Sequence, residues 1–270
     1  MSKNSFIEEA RRRFLRGIGV PKASPFVADE FQKEAISSVV EGNDTLVVAP
    51  TGAGKTYIAM EAINATLGLG LKAVYTTPLK ALSNTKYSEL KLKFQPQHKV
   101  GLLTGDRKIE GDADVVVATT EIYRNELYRS HDRYSLVILD EVHFISDPQR
   151  GPVWEESIIL TPSSTTLLML SASISNSGEI AEWLSSVRGK PCRVVSKKDR
   201  PVELRYGFMH PDYGAIPLSD ERGAVLREVS QFYGATELDS SGMRLRGGKF
   251  DRRRNDRGRN KRFSGRRRGR

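Results

Sequence analysis

The octet Ala49-Pro50-Thr51-Gly52-Ala53-Gly54-Lys55-Thr56 constrains this chain more than any other stretch. It follows an apolar run, Leu46-Val47-Val48, and precedes a segment with helical spacing from Tyr57 to Leu67. Strand, glycine-rich turn and helix are the setting a phosphate-binding loop requires. The glycines let backbone N–H groups turn inward around a phosphate. A helix beginning near Gly54 adds the positive end of its dipole. Lys55 is then placed to reach the β- and γ-phosphates of a nucleotide, and the Thr56 hydroxyl to ligate Mg²⁺. Ala49 stands where the strict pattern has Gly, and a plain surface turn is the competing reading.

The rest of the chain alternates apolar strands with helices. Residues 5–16 read as a short basic amphipathic helix with Phe6, Ile7, Ala10, Phe14 and Leu15 on one side, followed by a linker over 21–25. Asp29 opens a helix to about Val40. Strands are predicted at 45–49, 72–77, 100–103, 114–118, 136–139 and 166–170, with late strands at 194–195 and 202–206. The pattern predicts an α/β fold, a parallel β-sheet covered by helices on both faces. Polar motifs fall just after six strand ends: Thr51–Thr56, Thr77–Lys80, Thr104–Asp106, Thr119–Glu121, Asp140–His143 and Ser171–Ser173. An open α/β sheet binds its ligands at that edge.

Asp140-Glu141-Val142-His143 follows the buried-strand pattern Leu136-Val137-Ile138-Leu139. An acid at such a strand end, beside a phosphate loop, is the usual holder of nucleotide-bound Mg²⁺. Glu141, one residue on, can orient or deprotonate an attacking water. His98, His131 and His210 have no metal-ligand partners at useful spacing. Trp154 and Trp183 read as packing residues.

These residues together resemble superfamily-two DExH-box helicases, and within them the superkiller-like group of RNA helicases. The resemblance runs from about Pro25 to Arg205. It implies a RecA-like domain that uses ATP and Mg²⁺. Phe26 and Gln32 match the adenine-reading segment. Thr51, Gly52, Ala53, Gly54, Lys55 and Thr56 match motif I, and His143 closes the DExH box beside the catalytic pair Asp140 and Glu141. Thr56 and Asp140 would hold the metal, partly through water. Pro78, Lys80 and Asn84 lie in a stretch like motif Ia, Thr104, Gly105 and Asp106 in one like motif Ib, and Thr119, Thr120 and Glu121 in the next strand-binding motif. In the family those stretches contact the backbone of a single strand. Hydroxyls, a lysine, an amide and helix N-termini suit that work. Ser171 and Ser173 take the coupling motif, with Ser173 where Thr is usual. Arg150 to Glu156 resembles a signature of the superkiller-like group and favours RNA over DNA.

Such helicases close ATP between two RecA-like domains, and no second set of strands follows. The resemblance therefore implies a second RecA-like domain, in a longer chain or in trans, and very weak ATP hydrolysis without it. A fragment and a short natural protein are equally compatible with this pattern.

Charge is concentrated at the C-terminus. Residues 243–270 hold 14 Lys or Arg against two acids, a net +12, leaving 29 bases and 31 acids in residues 1–242. Arg246-Gly247-Gly248, Arg257-Gly258 and Gly265-Arg266 resemble RGG-type RNA-binding segments, with Phe250 and Phe263 available for stacking. This tail reads as disordered. The expected division is 1–24 (helix and linker), 25–206 (RecA-like domain), 207–242 (weakly structured linker, with Leu226, Val229 and Phe232 on one weak helix) and 243–270 (tail). The rival functional readings are a DNA helicase domain and a non-catalytic RNA-binding module driven by the tail. One cysteine, Cys192, fits a reducing compartment, and no apolar run is long enough for a signal peptide or a membrane span. A cytoplasmic location is expected.

Overall fold

The computed structural model describes residues 3–16, 18, 26–130, 132–200 and 204–233. The strongly basic tail and His131 lie outside the described residues. The chain divides into two compact units, Ala23–Glu203 and Met1–Lys22 with Leu204–Arg270.

The larger unit is built on an eight-stranded sheet. Its strands are β1 (Asp44–Val48), β2 (Ala73–Thr77), β3 (Val100–Leu103), β4 (Lys108–Ile109), β5 (Val115–Thr119), β6 (Leu136–Leu139), β7 (Thr166–Ser171) and β8 (Cys192–Ser196). The spatial order is β4-β3-β5-β2-β6-β7-β1-β8. All neighbours are parallel except β3 and β4. Strands such as Val115-Val116-Val117 are apolar at successive positions because both faces are covered. One face packs Val47, Tyr75, Val117, Ile138 and Leu168 under α2 (Glu30–Val40), α3 (Lys55–Gly68) and α4 (Lys80–Phe94). The other packs Leu46, Val74, Val116, Val137 and Met169 under α5 (Thr120–Leu127), α6 (Gly151–Leu160) and α7 (Ser177–Arg188). The fold is the RecA-like α/β architecture.

The expected strands at 45–49 through 166–170 appear within a residue or two. Three features differ. β4 turns back antiparallel on β3 through a tight loop, where a Cβ on Gly101 would lie 2.2 Å from the Glu110 carbonyl oxygen. Helix α6 occupies the Arg150–Glu156 signature: Pro152 starts it, Trp154 is buried, and a Cβ on Gly151 would meet the Ile145 carbonyl oxygen at 2.4 Å. Of the late strand expected at 202–206, residues 202 and 203 lie outside the described residues, 204–206 are irregular, and the next strand begins at Gly207.

At the edge of the sheet where strands begin, Arg188 and Asp44 form a buried ion pair. The guanidinium also donates to the carbonyl oxygens of Thr161 and Thr165, each at 2.6 Å, and Pro162 at 3.1 Å. Asp44 Oδ1 accepts from Leu167 N at 2.8 Å and lies 3.1 Å from Lys190 Nζ. One arginine thus ties α7 to the loop entering β7 and to the start of β1.

The smaller unit holds α1 (Lys3–Leu15), a hairpin of β9 (Gly207–His210) and β10 (Gly214–Pro217), and α8 (Arg227–Tyr233). Its core is Ile7, Ile216, Leu226 and Val229, flanked by Phe208, Tyr213, Leu218 and Val225. Residues 207–233 of the stretch expected as a weakly structured linker hold these elements, 234–242 lie outside the described residues, and the expected helix residues Leu226 and Val229 are buried. On α1 only Ile7 of the expected apolar side is fully buried; Phe6 and Leu15 are exposed. No helix among the described residues is long and apolar enough to cross a membrane.

Candidate nucleotide and nucleic-acid site

The loop after β1 has the geometry its glycines imply. Gly52 and Gly54 adopt φ of 88° and 85°, the left-handed region open to glycine. Gly54 has a second constraint: a Cβ there would lie 2.4 Å from Gln32 Nε2. Gln32 is buried at the start of α2. Its amide donates to the carbonyl oxygens of Ala53 at 3.1 Å and Gly54 at 3.4 Å, while its Oε1 accepts from Asp29 N at 2.9 Å. One side chain therefore both caps α2 and braces the loop. Phe26 is largely exposed and lies 4.7 Å, centroid to centroid, from Tyr57 on α3. This leaves an open aromatic surface beside the loop.

Lys55 folds back into the loop, donating to the carbonyl oxygens of Ala49 at 2.7 Å and Pro50 at 3.4 Å. Burial lowers its pKa from 10.5, against the opposing pull of the Glu141 and Asp140 carboxylates. Thr56 Oγ1 accepts from Lys86 Nζ at 3.1 Å, and Lys86 also pairs with Glu89 at 2.8 Å.

Asp140 ends β6, the second neighbour of β1 across β7. Its Oδ2 accepts from the Tyr75 hydroxyl at 2.6 Å and its Oδ1 from Glu141 N at 2.9 Å. Glu141 sits at φ 57°, unusual for a residue with a side chain. Such backbone strain persists where the surroundings enforce it, often in a functional site. Glu141 Oε2 lies 3.2 Å from His143 Nδ1, but the alignment gives no hydrogen bond. Both atoms are buried without a partner. Buried polar atoms in folded proteins are normally satisfied.

The donor set fits a nucleotide-borne Mg²⁺. Such an ion takes one or two carboxylates plus phosphate oxygens and water rather than a closed protein cage. Thr56 and Asp140 offer hard oxygens, and Glu141 Oε2 is an unused buried acceptor nearby in the chain. No group of three or more His, Cys, Asp or Glu side chains placed to hold a metal ion by themselves occurs among the described residues.

The strand-contacting candidates, taken with the coupling pair Ser171 and Ser173, fall into two groups. Pro78, Lys80, Asn84, Gly105, Asp106, Glu121 and Ser173 have partly or fully exposed surface. Lys80 pairs with Asp106 at 3.2 Å, and Asp106 also accepts from Thr104 Oγ1 at 2.9 Å. The hydrogen bond from Thr104, then that from Lys80, lowers the Asp106 pKa. Helix α4 has no side-chain cap, which leaves its first N–H groups for a phosphate. Thr104, Thr119, Thr120 and Ser171 are buried. Thr119 caps α5 by accepting from Ile122 N at 3.4 Å, Thr120 donates to the Thr77 carbonyl at 3.3 Å, and Ser171 Oγ accepts from Ser173 N at 3.3 Å. The hydroxyls of Thr119 and Thr120, expected to face the strand, here hold α5 in place.

Sequence reasoning passed over three residues on this edge. Arg107 is exposed and donates to Asn84 Oδ1 at 3.0 Å, a neutral partner. Lys86 meets Thr56, and Tyr75 meets Asp140. A base directly after Thr104–Asp106 was the available signal for Arg107. A tyrosine inside an apolar strand gives none. Trp154 and Trp183 pack into the core as expected. Cys192 is half-buried, and burial, with Asp44 next, pushes its thiol up to about 12.

Residues 29–180 match the model of the DEAD/DEAH box helicase family. The chain belongs to that family. Among its relatives, the probable helicase HelY of Mycobacterium leprae is 47% identical over 185 residues, 67% of this chain and 20% of the relative. The DExH-box ATP-dependent RNA helicase DExH15, chloroplastic, of Arabidopsis thaliana is 42% identical over 231 residues, 82% of this chain and 19% of the relative. The exosome RNA helicase MTR4 of Homo sapiens is 42% identical over 206 residues, 75% of this chain and 20% of the relative. The chain spans about a fifth of the length of these relatives. In this DEAD/DEAH box helicase domain the phosphate loop and the Asp140–His143 segment both fall inside the matched region.

Proposed function

We propose that this chain is the first motor domain of a DExH-box RNA helicase, binding ATP–Mg²⁺ and one strand of RNA. The observation that carries the reading is the gathering of Lys55, Thr56, Asp140 and Glu141 at the ends of β1 and β6, with Glu141 in a strained backbone conformation. Lys55 would leave the Ala49 carbonyl for the β- and γ-phosphates. Thr56 and Asp140 would hold Mg²⁺, which neutralises phosphate charge when bound. Glu141, with His143 beside it, would orient the attacking water. Phe26 would stack on the adenine, and Gln32 would read its edge on leaving the Ala53 and Gly54 carbonyls.

The strand would lie over the α4 N-terminus, Pro78, Lys80, Asn84, Gly105, Asp106 and Glu121, with Arg107 as an added phosphate contact. Ser171 and Ser173 would couple the two sites. A second RecA-like domain would close the cleft and supply the remaining charge stabilisation, so this chain alone should turn over ATP very poorly. The relatives named as RNA helicases favour RNA over DNA. A cytoplasmic setting accords with the single cysteine.

Deleting residues 243–270 tests the reading against an RNA-binding module driven by the tail. The truncated chain should keep RNA binding that responds to a non-hydrolysable ATP analogue. Loss of all RNA binding, with no effect of nucleotide before truncation, would establish the rival.

A further inference from the structure

The hydroxyl of Tyr75 meets the carboxylate proposed to bind metal. Tyr75 lies in β2, paired with Ile138 of β6, two residues before Asp140. Successive side chains alternate across a strand, so Tyr75, Ile138 and Asp140 share one face of the sheet. Tyr75 is fully buried, and its hydroxyl donates to Asp140 Oδ2 at 2.6 Å. The other oxygen accepts from Glu141 N at 2.9 Å. With both oxygens bonded, the carboxylate cannot rotate freely, yet each oxygen retains a lone pair. Lys86 stands over the Tyr75 ring, its ammonium 5.9 Å from the centroid, and reaches Thr56 Oγ1 at 3.1 Å. The second metal-binding candidate is thus held from the same side.

Packing alone does not account for the hydroxyl. A phenylalanine would fill the same strand position without requiring an acceptor. A buried hydroxyl does require one, and the acceptor here is the acid directly after β6, the one proposed to hold the metal.

We infer that Tyr75 is a positioning residue for Asp140: its hydroxyl fixes the carboxylate in the orientation that receives nucleotide-bound Mg²⁺. The inference rests on the proposed ATP–Mg²⁺ reading of the site and adds to it a residue acting through another. Partners of this kind typically change metal affinity 10–100-fold when removed.

The test is a Mg²⁺ titration of fluorescent-ADP binding to the full chain, for the wild type, Tyr75→Phe and Asp140→Ala. Tyr75→Phe should raise the Mg²⁺ concentration for half-maximal binding about tenfold. It should leave ADP affinity in EDTA unchanged. Adding Tyr75→Phe to Asp140→Asn should produce no further change in the Mg²⁺ response. An unchanged Mg²⁺ requirement in Tyr75→Phe overturns the inference. So does an equal loss of affinity with and without Mg²⁺, which marks a purely structural role. Asp140→Ala separates the two levels. If it leaves the Mg²⁺ response intact, the metal-site reading itself fails. If it abolishes the response while Tyr75→Phe does nothing, only the role of Tyr75 fails.

Discussion

The Lys55 ammonium is bonded to the Ala49 carbonyl oxygen at 2.7 Å, so the cation of the phosphate loop is satisfied by the loop itself. Burial lowers its pKa from 10.5, while Glu141 and then Asp140 resist the shift. The charged form is the one that binds phosphate. Nucleotide affinity should therefore fall on the alkaline side at a pH below 10.5, earlier than for an ordinary lysine. The contribution of Lys55 to fold stability has the opposite sign. Between the lowered and the ordinary pKa the unfolded chain holds more protons, so this contribution rises with pH. Fluorescent-ADP titrations from pH 7 to 10 check the binding side. Any nucleotide affinity that Lys55→Arg retains should stay flat over that range, because arginine does not deprotonate.

Gly52 and Gly54 share a positive φ but differ in surroundings. Nothing lies within 4 Å of a Cβ on Gly52, whereas one on Gly54 meets Gln32 Nε2 at 2.4 Å. Gly52→Ala should cost about 1–2 kcal/mol, the penalty of a left-handed residue with a side chain. Gly54→Ala should cost more and also displace Gln32. Urea midpoints should rank the two variants in that order, and ADP affinity should fall further in Gly54→Ala.

The Asp44–Arg188 pair is buried and carries carbonyl acceptors on its remaining donors. Arg188→Met leaves Asp44 Oδ2 and those carbonyls without their guanidinium donor, while Asp44 Oδ1 keeps Leu167 N and Lys190. Removing one partner of a buried pair costs about 3–5 kcal/mol. The chain's two tryptophans, Trp154 and Trp183, both lie in the larger unit, so urea unfolding followed by their fluorescence reports on it directly. A loss below about 1 kcal/mol would show that the cluster is not a clamp.

Among the described residues the Arg107 guanidinium donates to the neutral Asn84 amide, while Lys80 is paired with Asp106. Arg107→Ala should weaken single-stranded RNA binding at every sequence tested and reduce the salt slope by about one. ADP affinity should be unchanged. Fluorescence anisotropy across a salt series measures both effects.

How far the sequence carried the reading depends on where each residue finds its partners. The strands from Leu46 to Leu170 were legible because burial on both faces demands continuous apolar runs. The loop and the Asp140–Glu141 turn were legible because their spacing is fixed by the chemistry of phosphate and metal. The β9–β10 hairpin was not, because its core is completed by Ile7, some two hundred residues earlier in the chain. Helix α6 was read only as a signature stretch, and Gly151-Pro152 starts it where the backbone passes Ile145 closely. Thr119 and Thr120 look like strand-facing hydroxyls in sequence. Only three-dimensional placement shows them spent on Ile122 N and the Thr77 carbonyl. Tyr75 was hidden for the converse reason, since a polar atom inside an apolar strand leaves no pattern.

The most direct measurement of the central claim is equilibrium binding of fluorescent ADP, with Mg²⁺, to the 270-residue chain and to its Lys55→Ala variant. A charge-assisted hydrogen bond to phosphate contributes about 1.5–3 kcal/mol. The account predicts one site per chain and a loss of about ten- to a hundredfold in affinity on substitution. Equal affinity for the two proteins would contradict it.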